Sequence, residues 1–433
     1  MAGFSALLRH NTDYRRLWLA QVVSEVGDHF NTIAVLSLAL HLTGSGVAVG
    51  GVMISRMLPT VIAGPISGVF LDRWDRKRIM IASDLLRCAI AACFVLTLTI
   101  RQSWLLYLLS ALLTFASPFF NSGRLAILPR ITTPDELHTA NALTQTTAWL
   151  TLSIGTMLGG VSTMSFGYEW AFVANAASFV ISAWFVGGIR SPEGHFRALG
   201  RVHHERKTGW HEFLASARYI RAHTVILAIG LAQIGWASGG GAAQVLFTLY
   251  GEIVFKAGPA GVGIIWGFAG VGLVIGGLLG HKLGAKLDFI GYKRAIAAAF
   301  FVHGAAYVAF AVMPTIAGAV VFIALSRLGM GVCNVLNRTM LLTHVSDEYR
   351  GRVFSTFEMT LNLAMMTSLM GAGAASSYFS IRGIGVVAGI LSTSTALFWF
   401  AADMAGKLPE PALEAKVIEE SELAETGTSA RVP

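Results

Sequence analysis

Long apolar runs broken by short charged turns set the pattern of this chain. Stretches of about 20 or more largely apolar residues, long enough to cross a bilayer core as a helix, recur twelve times. They lie at 17–41, 46–71, 79–100, 103–127, 139–165, 169–189, 224–250, 259–283, 294–313, 315–337, 353–379 and 382–405. This pattern predicts an all-α integral membrane protein of twelve transmembrane helices. Alternate turns are very short, as at Leu42-Thr43-Gly44-Ser45 and Met313-Pro314-Thr315.

The longest polar gap divides the runs six from six. It predicts a six-helix bundle over 1–189, a linker over 190–222, a second six-helix bundle over 223–406 and a tail over 407–433. The linker opens with Arg190-Ser191-Pro192-Glu193 and carries His203-His204-Glu205-Arg206-Lys207. It then turns helical: Thr208 suits an N-cap, and Trp210, Phe213, Leu214, Ala217 and Ile220 share one face. That face predicts a helix lying in the lipid headgroups. The tail has Glu410, Glu414, Glu419, Glu420, Glu422 and Glu425 with few apolar residues to bury, a composition expected to stay solvated and disordered.

The halves repeat at an offset of 212 residues: Gly51, Gly64, Gly68 and Leu71 fall on Gly263, Gly276, Gly280 and Leu283, and Asp135-Glu136 on Asp347-Glu348. One offset shared by two distant segments points to duplication. Two parallel six-span halves around a midplane site is a transporter architecture.

Composition sharpens the class. Only 13% of residues are charged against 54% hydrophobic, about half the charge of a soluble domain. The net charge of +8 would suit nucleic acid, but its Lys and Arg sit in turns between apolar runs, where topology and anionic headgroups account for them. Of the 32 basic residues, Arg101, Lys256 and Arg382 fall on one side and Arg56, Arg87 and Arg327 inside spans, and the rest gather on the other side. Positive residues stay inside, so both termini are expected in the cytoplasm. The first run is too long for a signal peptide, so it should be retained. Cys88, Cys93 and Cys333 all lie in apolar stretches, with neither disulfide nor metal spacing. The His pair lacks an HExxH frame, and neither a cofactor nor a metal is expected.

Polar residues inside the runs are the candidate chemistry. Gln21, Glu25, Asp28 and Thr32 follow i, i+4, i+7 and i+11, along one face of the first span. Counted from residue 17 at 1.5 Å per residue, Asp28 lies roughly 16 Å deep, near the midplane. A charge there costs on the order of 3 kcal/mol unless it faces protein or water. A carboxylate removed from water is easier to protonate, so Asp28 and Glu25 are the candidate proton carriers. Arg56 and Arg327 have no acid within a turn of sequence and need a partner from another helix, from a ligand or from water. Gln145, Trp149, Gln233, Trp236, Glu358 and Asn362 complete the candidate cavity, with Phe357, Met359, Met365 and Met366 as adaptable apolar lining. Gly239-Gly240-Gly241 predicts a break in span seven.

The turn between spans two and three runs Gly68-Val69-Phe70-Leu71-Asp72-Arg73-Trp74-Asp75-Arg76-Lys77-Arg78. It resembles the signature of the major facilitator superfamily, with Asp75 where the family carries a second glycine. That variant is similar to the branch holding macrolide-efflux proteins and the enterobactin exporter. So are Asn11 through Gln21, Gly27-Asp28, Leu128-Pro129, Asp135-Glu136-Leu137 and Ala140-Asn141-Ala142-Leu143. The resemblance implies that Asp72 faces the start of span eleven, near Gly351 to Phe354. Together with Gly68, Arg73, Asp75, Arg76, Lys77, Asp84 and Arg87, it would form a latch that holds one conformation and breaks in the other. The competing reading, made without the family, is that the same charges only fix topology. Gly64 and Gly68, one turn apart, should admit a close neighbouring helix. Gly155-Thr156 with Gly159-Gly160 resembles part of the superfamily's antiporter signature, with Thr156 where proline is usual. Span eight, with Gly272, Gly276, Gly280 and Gly284, should pack on it.

The expected function is proton-coupled efflux of amphipathic small molecules, such as drugs or siderophore-like metabolites, by a multi-pass monomer in a bacterial inner membrane. Its partners would be that small molecule, protons and the lipid bilayer, with no nucleic acid. No Walker A motif is present to use ATP, and no nucleophile–base pair suggests an enzyme. An importer or facilitator of an anionic metabolite held by Arg56 or Arg327, and a lipid flippase, are the competing expectations.

Overall fold

The computed structural model describes residues 4–190, Phe196 and residues 209–410, with the backbone alone for 209–212 and 347. Among them every regular element is helical. The first part of the chain forms α1 (Phe4–His10), α2 (Thr12–Thr43), α3 (Gly46–Arg73), α4 (Arg76–Cys93), α5 (Leu96–Ile100), α6 (Ser103–Ile131), α7 (Pro134–Phe166) and α8 (Tyr168–Gly187). After α9 (Gly209–Ala222) come α10 (Thr224–Leu249), prolonged by a π turn over Tyr250–Val254, and α11 (Gly258–Gly284). Next are α12 (Phe289–Val312), α13 (Ile316–His344), α14 (Asp347–Ala375) and α15 (Ile381–Met404).

Among the described residues, nine segments are long and apolar enough to cross a membrane: α3, α4 continued through α5, α6, α8, α10 with its π turn, α11, α12, α13 and α15. Three more helices, α2, α7 and α14, run 32, 33 and 29 residues, or about 44–50 Å at 1.5 Å per residue. Length suffices in these three; what sets them apart is polarity. In α2 and α7 those polar groups turn inward: Gln21, Ser24, Asn31 and Ser37 of α2 are buried, as are Thr147, Thr151, Thr156 and Thr163 of α7. Lipid excludes such groups, so a helix that carries them must present them to protein or water.

Local chemistry fixes the helix ends. Asn11 caps α2 by accepting from the Tyr14 amide at 2.9 Å, while its own amide donates to Ile131 O at 2.7 Å and Glu136 Oε2 at 3.1 Å. Glu136 also closes a capping box with Thr133 at the start of α7, and the Tyr14 hydroxyl donates to Ala140 O at 2.9 Å. The opening motif and the Asp135-Glu136 motif, joined by Asn11 and Glu136 at 125 residues apart in sequence, thus meet as one clamp tying α2 to α7. Asp75 caps α4 by accepting from the Arg78 amide at 2.9 Å, and Asp288 caps α12 by accepting from Gly291 at 2.7 Å. The repeat therefore preserves a cap at the two equivalent turns.

α2 packs on α7 and α8, α3 on α6, and α4 on α6 and α8; later in the chain α10 packs on α14 and α15, α11 on α13, and α12 on α13 and α15. The two sets touch chiefly through α7–α11 and α3–α14. A Cβ on Gly160 would lie 2.9 Å from Gly263 Cα, so only glycines permit that crossing, and Gly277 lies against the Trp149 ring nearer mid-helix. Gly46 approaches Ser376, and Gly50 approaches Leu369. These contacts gather away from the basic turns. Toward the basic turns, a Cβ on Gly64, Gly68 or Gly351 would meet nothing within 4 Å.

Several expectations change. Gly64 and Gly68 admit no close helix here. Gly239-Gly240-Gly241 does not break α10, which runs on to Leu249; Gly239 lies against Ala388 O and Gly241 against Met365 O, so the glycines serve close packing. The irregularity falls later, in the π turn. Gly272, Gly276 and Gly280 face α13 at Ala324, Leu328 and Val332, while Gly263, Gly267, Gly270 and Gly277 meet α7. Helix α9 docks on α14: Ser216 and Ile220 are buried, Tyr219 stacks on Tyr349 at 4.3 Å, and Thr356 donates to Ser216 at 3.0 Å. Leu214, placed on the apolar face by sequence, is exposed. Thr208, the Trp210 side chain, His203, His204 and the acids beyond Glu410 lie outside the described residues.

Candidate functional site

Two polar systems occupy the interior, with a cavity beside them. The first begins on α2. Glu25 Oε1 accepts from Gln21 Nε2 at 2.8 Å, and Oε2 accepts from the Thr151 hydroxyl of α7 at 2.7 Å. Arg124 of α6 stands 3.9 Å from Oε1, and the Glu25 side chain is 26% exposed. Gln21 also donates to Thr144 O at 3.3 Å, and Trp18 Nε1 to Thr147 Oγ1 at 2.8 Å. Glu25 therefore links α2 to α7 within a hydrogen-bonded seam.

One helical turn on, Asp28 stands 3.8 Å from Arg87 Nη1. Arg87 makes a direct bond to Asp84, which accepts a further hydrogen bond from Ser182 at 2.7 Å. The guanidinium lies over Phe179 at 4.3 Å and near Phe120 at 4.9 Å. Asp84 and Arg87 are almost fully buried. On the fourth turn of the same face, Thr32 accepts from Arg56 Nη2 at 2.8 Å. Three carboxylates thus pair with Arg87 of α4 and Arg124 of α6, while Arg56 of α3 reaches the same face of α2 through Thr32.

This placement corrects the sequence reading of the latch. Asp84 and Arg87 lie in the interior with Asp28, about 16 Å from the start of α4 for Arg87 at 1.5 Å per residue, and not beside the turn. Asp75 is a helix cap. Arg76 donates to Ala126 O at 3.1 Å and Lys77 to Ile189 O at 2.9 Å, bonds that hold the turn to its own half. Asp72 and Arg73 are exposed, and a Cβ on Gly68 or on Gly351 at the start of α14 would meet nothing within 4 Å. Arg124 escaped the sequence reading because it sits near the end of its apolar run, where it counts as a turn residue. Its spacing gave no sign that it reaches Glu25.

The cavity, of about 800 Å³, is lined from α7 by Gln145 and Trp149 and from α10 by Gln233 and Trp236. Phe300 joins from α12, Met330, Cys333, Asn334, Asn337 and Arg338 from α13, and Phe354, Phe357 and Glu358 from α14. It lies toward the basic turns, the side away from the crossing of the two sets of helices. Of the candidates, Gln145, Trp149, Gln233, Trp236 and Glu358 line it. Asn362, Gln21, Thr32, Arg56 and Arg327 do not. Aromatic and apolar walls with a few amides suit an amphipathic guest.

The second polar system adjoins the cavity; the sequence reading names its Trp236 and Arg327 but not His303 or Ser326. Trp236 Nε1 donates to His303 Nε2 at 3.0 Å, and His303 Nδ1 lies 2.9 Å from Ser326 O. Accepting at one nitrogen leaves the proton on the other, so His303 here is the neutral Nδ1–H tautomer. Arg327, next to Ser326, lies over Phe247 at 5.3 Å.

Comparison with known proteins follows this geometry. The family model described as Major Facilitator Superfamily matches residues 17–336 and 283–430. BacE of Bacillus subtilis (strain 168), named as a candidate bacilysin exporter, is 24% identical over 369 residues, covering 84% of this chain and 88% of the relative. Macrolide efflux protein A of Streptococcus pyogenes is 22% identical over 360 residues, covering 82% and 87%. Among solved structures, the nucleoside transporter NupG superposes with a TM-score of 0.68 at 13% identity, over 90% of this chain and 98% of that one.

Proposed function

Because this chain belongs to the major facilitator superfamily, a family of secondary transporters rather than enzymes, we propose that it exports amphipathic small molecules in exchange for protons. The relatives named for macrolide efflux and bacilysin export support the direction. In this reading α2, α7 and α14 join the nine apolar segments as spans, giving twelve in two six-helix bundles. Both termini are cytoplasmic, in the inner membrane of a bacterium. The basic end then faces the cytoplasm, and the conformation described is inward-facing, with its cavity open for loading.

The observation that carries the coupling is the seat of Glu25. Both its oxygens accept hydrogen bonds, one of them from Thr151 of α7, and α7 lines the cavity with Gln145 and Trp149. A proton on either oxygen turns an acceptor into a donor and removes the attraction to Arg124. The α2–α7 seam is then weakened at the wall that touches substrate. Helix α7 also carries the Gly160–Gly263 crossing that closes the far end, so a shift of α7 can be felt at both ends. Protonation from outside would loosen the seam and permit the change of state, and release of the proton inside would re-form the Arg124 pair and stabilise this conformation. One proton moving down about 100 mV supplies roughly 2.3 kcal/mol, enough for a gradient near 50-fold in a neutral substrate exchanged one for one.

The test is efflux of a lipophilic fluorescent dye from cells expressing the protein. We expect an uncoupler to abolish it; uncoupler-insensitive efflux contradicts the proposal. The Asp72 latch belongs to the opposite state, in which the basic end closes and Asp72 reaches the start of α14. Asp72→Asn should leave thermal stability of the inward-facing protein within about 0.5 kcal/mol, yet raise labelling of a cysteine placed in the cavity from the cytoplasmic side. Unchanged labelling and transport would reduce the turn to a topology signal.

A further inference from the structure

Arg327 differs from the interior arginines of the first half in having no acid to meet. Helices α10, α11, α12 and α13 contain no Asp or Glu. Other described acids of this half are otherwise placed: Asp403 pairs with Lys293 at 2.5 Å, Glu348 with Arg352 at 3.7 Å, Asp288 caps α12, Glu358 stands at the cavity wall, and Glu252 of the π turn faces Ser37 and His41 of α2. Among the described residues Arg327 has an aromatic contact, with Phe247, and no ion pair.

Other donors share its predicament. The Tyr307 hydroxyl, on a side chain 97% buried, and the Trp266 indole N–H both lack a hydrogen-bond partner. Tyr307 lies within electrostatic reach of Arg327. Trp266 meets Phe247 edge-on at 5.1 Å, and Arg327 sits over that same ring at 5.3 Å. Buried donors ordinarily find an acceptor, and each exception calls for one. Here Arg327 and Trp266 share the Phe247 ring and Tyr307 stands within electrostatic reach of Arg327, and neither neutral donor has an acceptor among the described residues.

The group is placed to be reached. Arg327, Asn334 and Arg338 follow i, i+7 and i+11 on α13, and the last two line the cavity together with Met330. Arg327 is thus the next position of the same stripe, one turn deeper. His303, held by Trp236 of the cavity wall, lies between them and is itself within electrostatic reach of Arg327.

We propose that Arg327, Tyr307 and Trp266 form an anion subsite at the inner end of the cavity, which takes a carboxylate or sulfonate borne on an aromatic or apolar body. Phe247 stacks beneath the guanidinium and the ligand's apolar part rests against Trp236 and Met330. The inference rests on the transport reading above and names the substrate class within it: amphipathic anions over neutral and cationic analogues.

Binding of 2-naphthoate, 2-naphthamide and 2-naphthylmethylamine to the purified protein, followed by intrinsic tryptophan fluorescence, tests it. Wild type should bind the carboxylate at least tenfold more tightly than the amide or the amine. Arg327→Gln should remove that preference, Arg327→Lys should keep part of it, and Tyr307→Phe should weaken naphthoate several-fold with the amide unchanged. Thermal unfolding checks that each variant is folded, and Tyr307→Phe, which removes one oxygen, keeps the test usable if Arg327→Gln is not. Equal binding of the three probes, or a preference that survives Arg327→Gln and is lost in Arg338→Gln at the cavity mouth, overturns the subsite. Uncoupler-sensitive dye efflux is measured separately: its survival alongside equal probe binding would remove the subsite and leave the export reading standing, and its loss would do the reverse.

Discussion

Arg87→Ala is expected to destabilise the protein by about 3–5 kcal/mol, the usual result of removing one partner of a buried ion pair. Arg87 is 3% exposed and Asp84 fully buried, and Arg87 also faces Asp28 at 3.8 Å. Truncation would leave two carboxylates without their cation, and would open the space between Phe120 and Phe179 that the guanidinium fills. The hydrogen bond from Ser182 to Asp84 does not offset that loss, since it is already present with Arg87 in place and a bond to a charged group contributes about 1.5–3 kcal/mol net. Thermal unfolding in detergent should show a large fall for Arg87→Ala and a clearly smaller one for Arg87→Met with Asp84→Leu, which removes both charges at similar volume. Equal falls in the two variants would mean that packing, and not charge, governs the site.

Glu25→Gln should have the largest functional effect. Glutamine keeps the shape, and its carbonyl oxygen can still accept from Thr151, but it carries no exchangeable acid proton and no charge for Arg124. Efflux driven by a pH gradient should fall at least tenfold, about 1.4 kcal/mol or more in coupling. Exchange of labelled for unlabelled substrate at equal pH should continue, because it requires only binding and reorientation. Asp28→Asn should impair both processes, since Asp28 shares Arg87 with Asp84 and its loss disturbs the ion-pair cluster as a whole.

Much of the fold was legible because bilayers impose a simple rule. Apolar length and the placement of Lys and Arg suffice to locate helices such as α6, α8 and α15 within a few residues. The face that joins Gln21, Glu25, Asp28 and Thr32 was also legible, since helical spacing alone places them together. What spacing cannot supply is the partner from another helix. Arg124 meets Glu25 across 99 residues of chain, and Asp84 meets Ser182 across 98. Arg87 lies inside its span by sequence yet is grouped there with the latch charges around Asp72; the structure pairs it with Asp84 and Asp28 in the interior instead. Span eight does pack on span five, as α11 on α7, but through Gly263, Gly267, Gly270 and Gly277; the stripe Gly272-Gly276-Gly280 faces α13, because a glycine stripe announces a close approach but not whose. His303 carried no signal at all, being a lone histidine in an apolar run.

The central claim is that Glu25 carries the proton exchanged for substrate. Its most direct measurement is proton flux in liposomes containing the purified protein and an internal pH-sensitive dye, started by a substrate gradient at zero pH difference. The account predicts that substrate entering the vesicles drives a measurable counterflow of protons in wild type, and that Glu25→Gln moves substrate down its gradient with no pH change inside. Proton movement that persists undiminished in Glu25→Gln would contradict it.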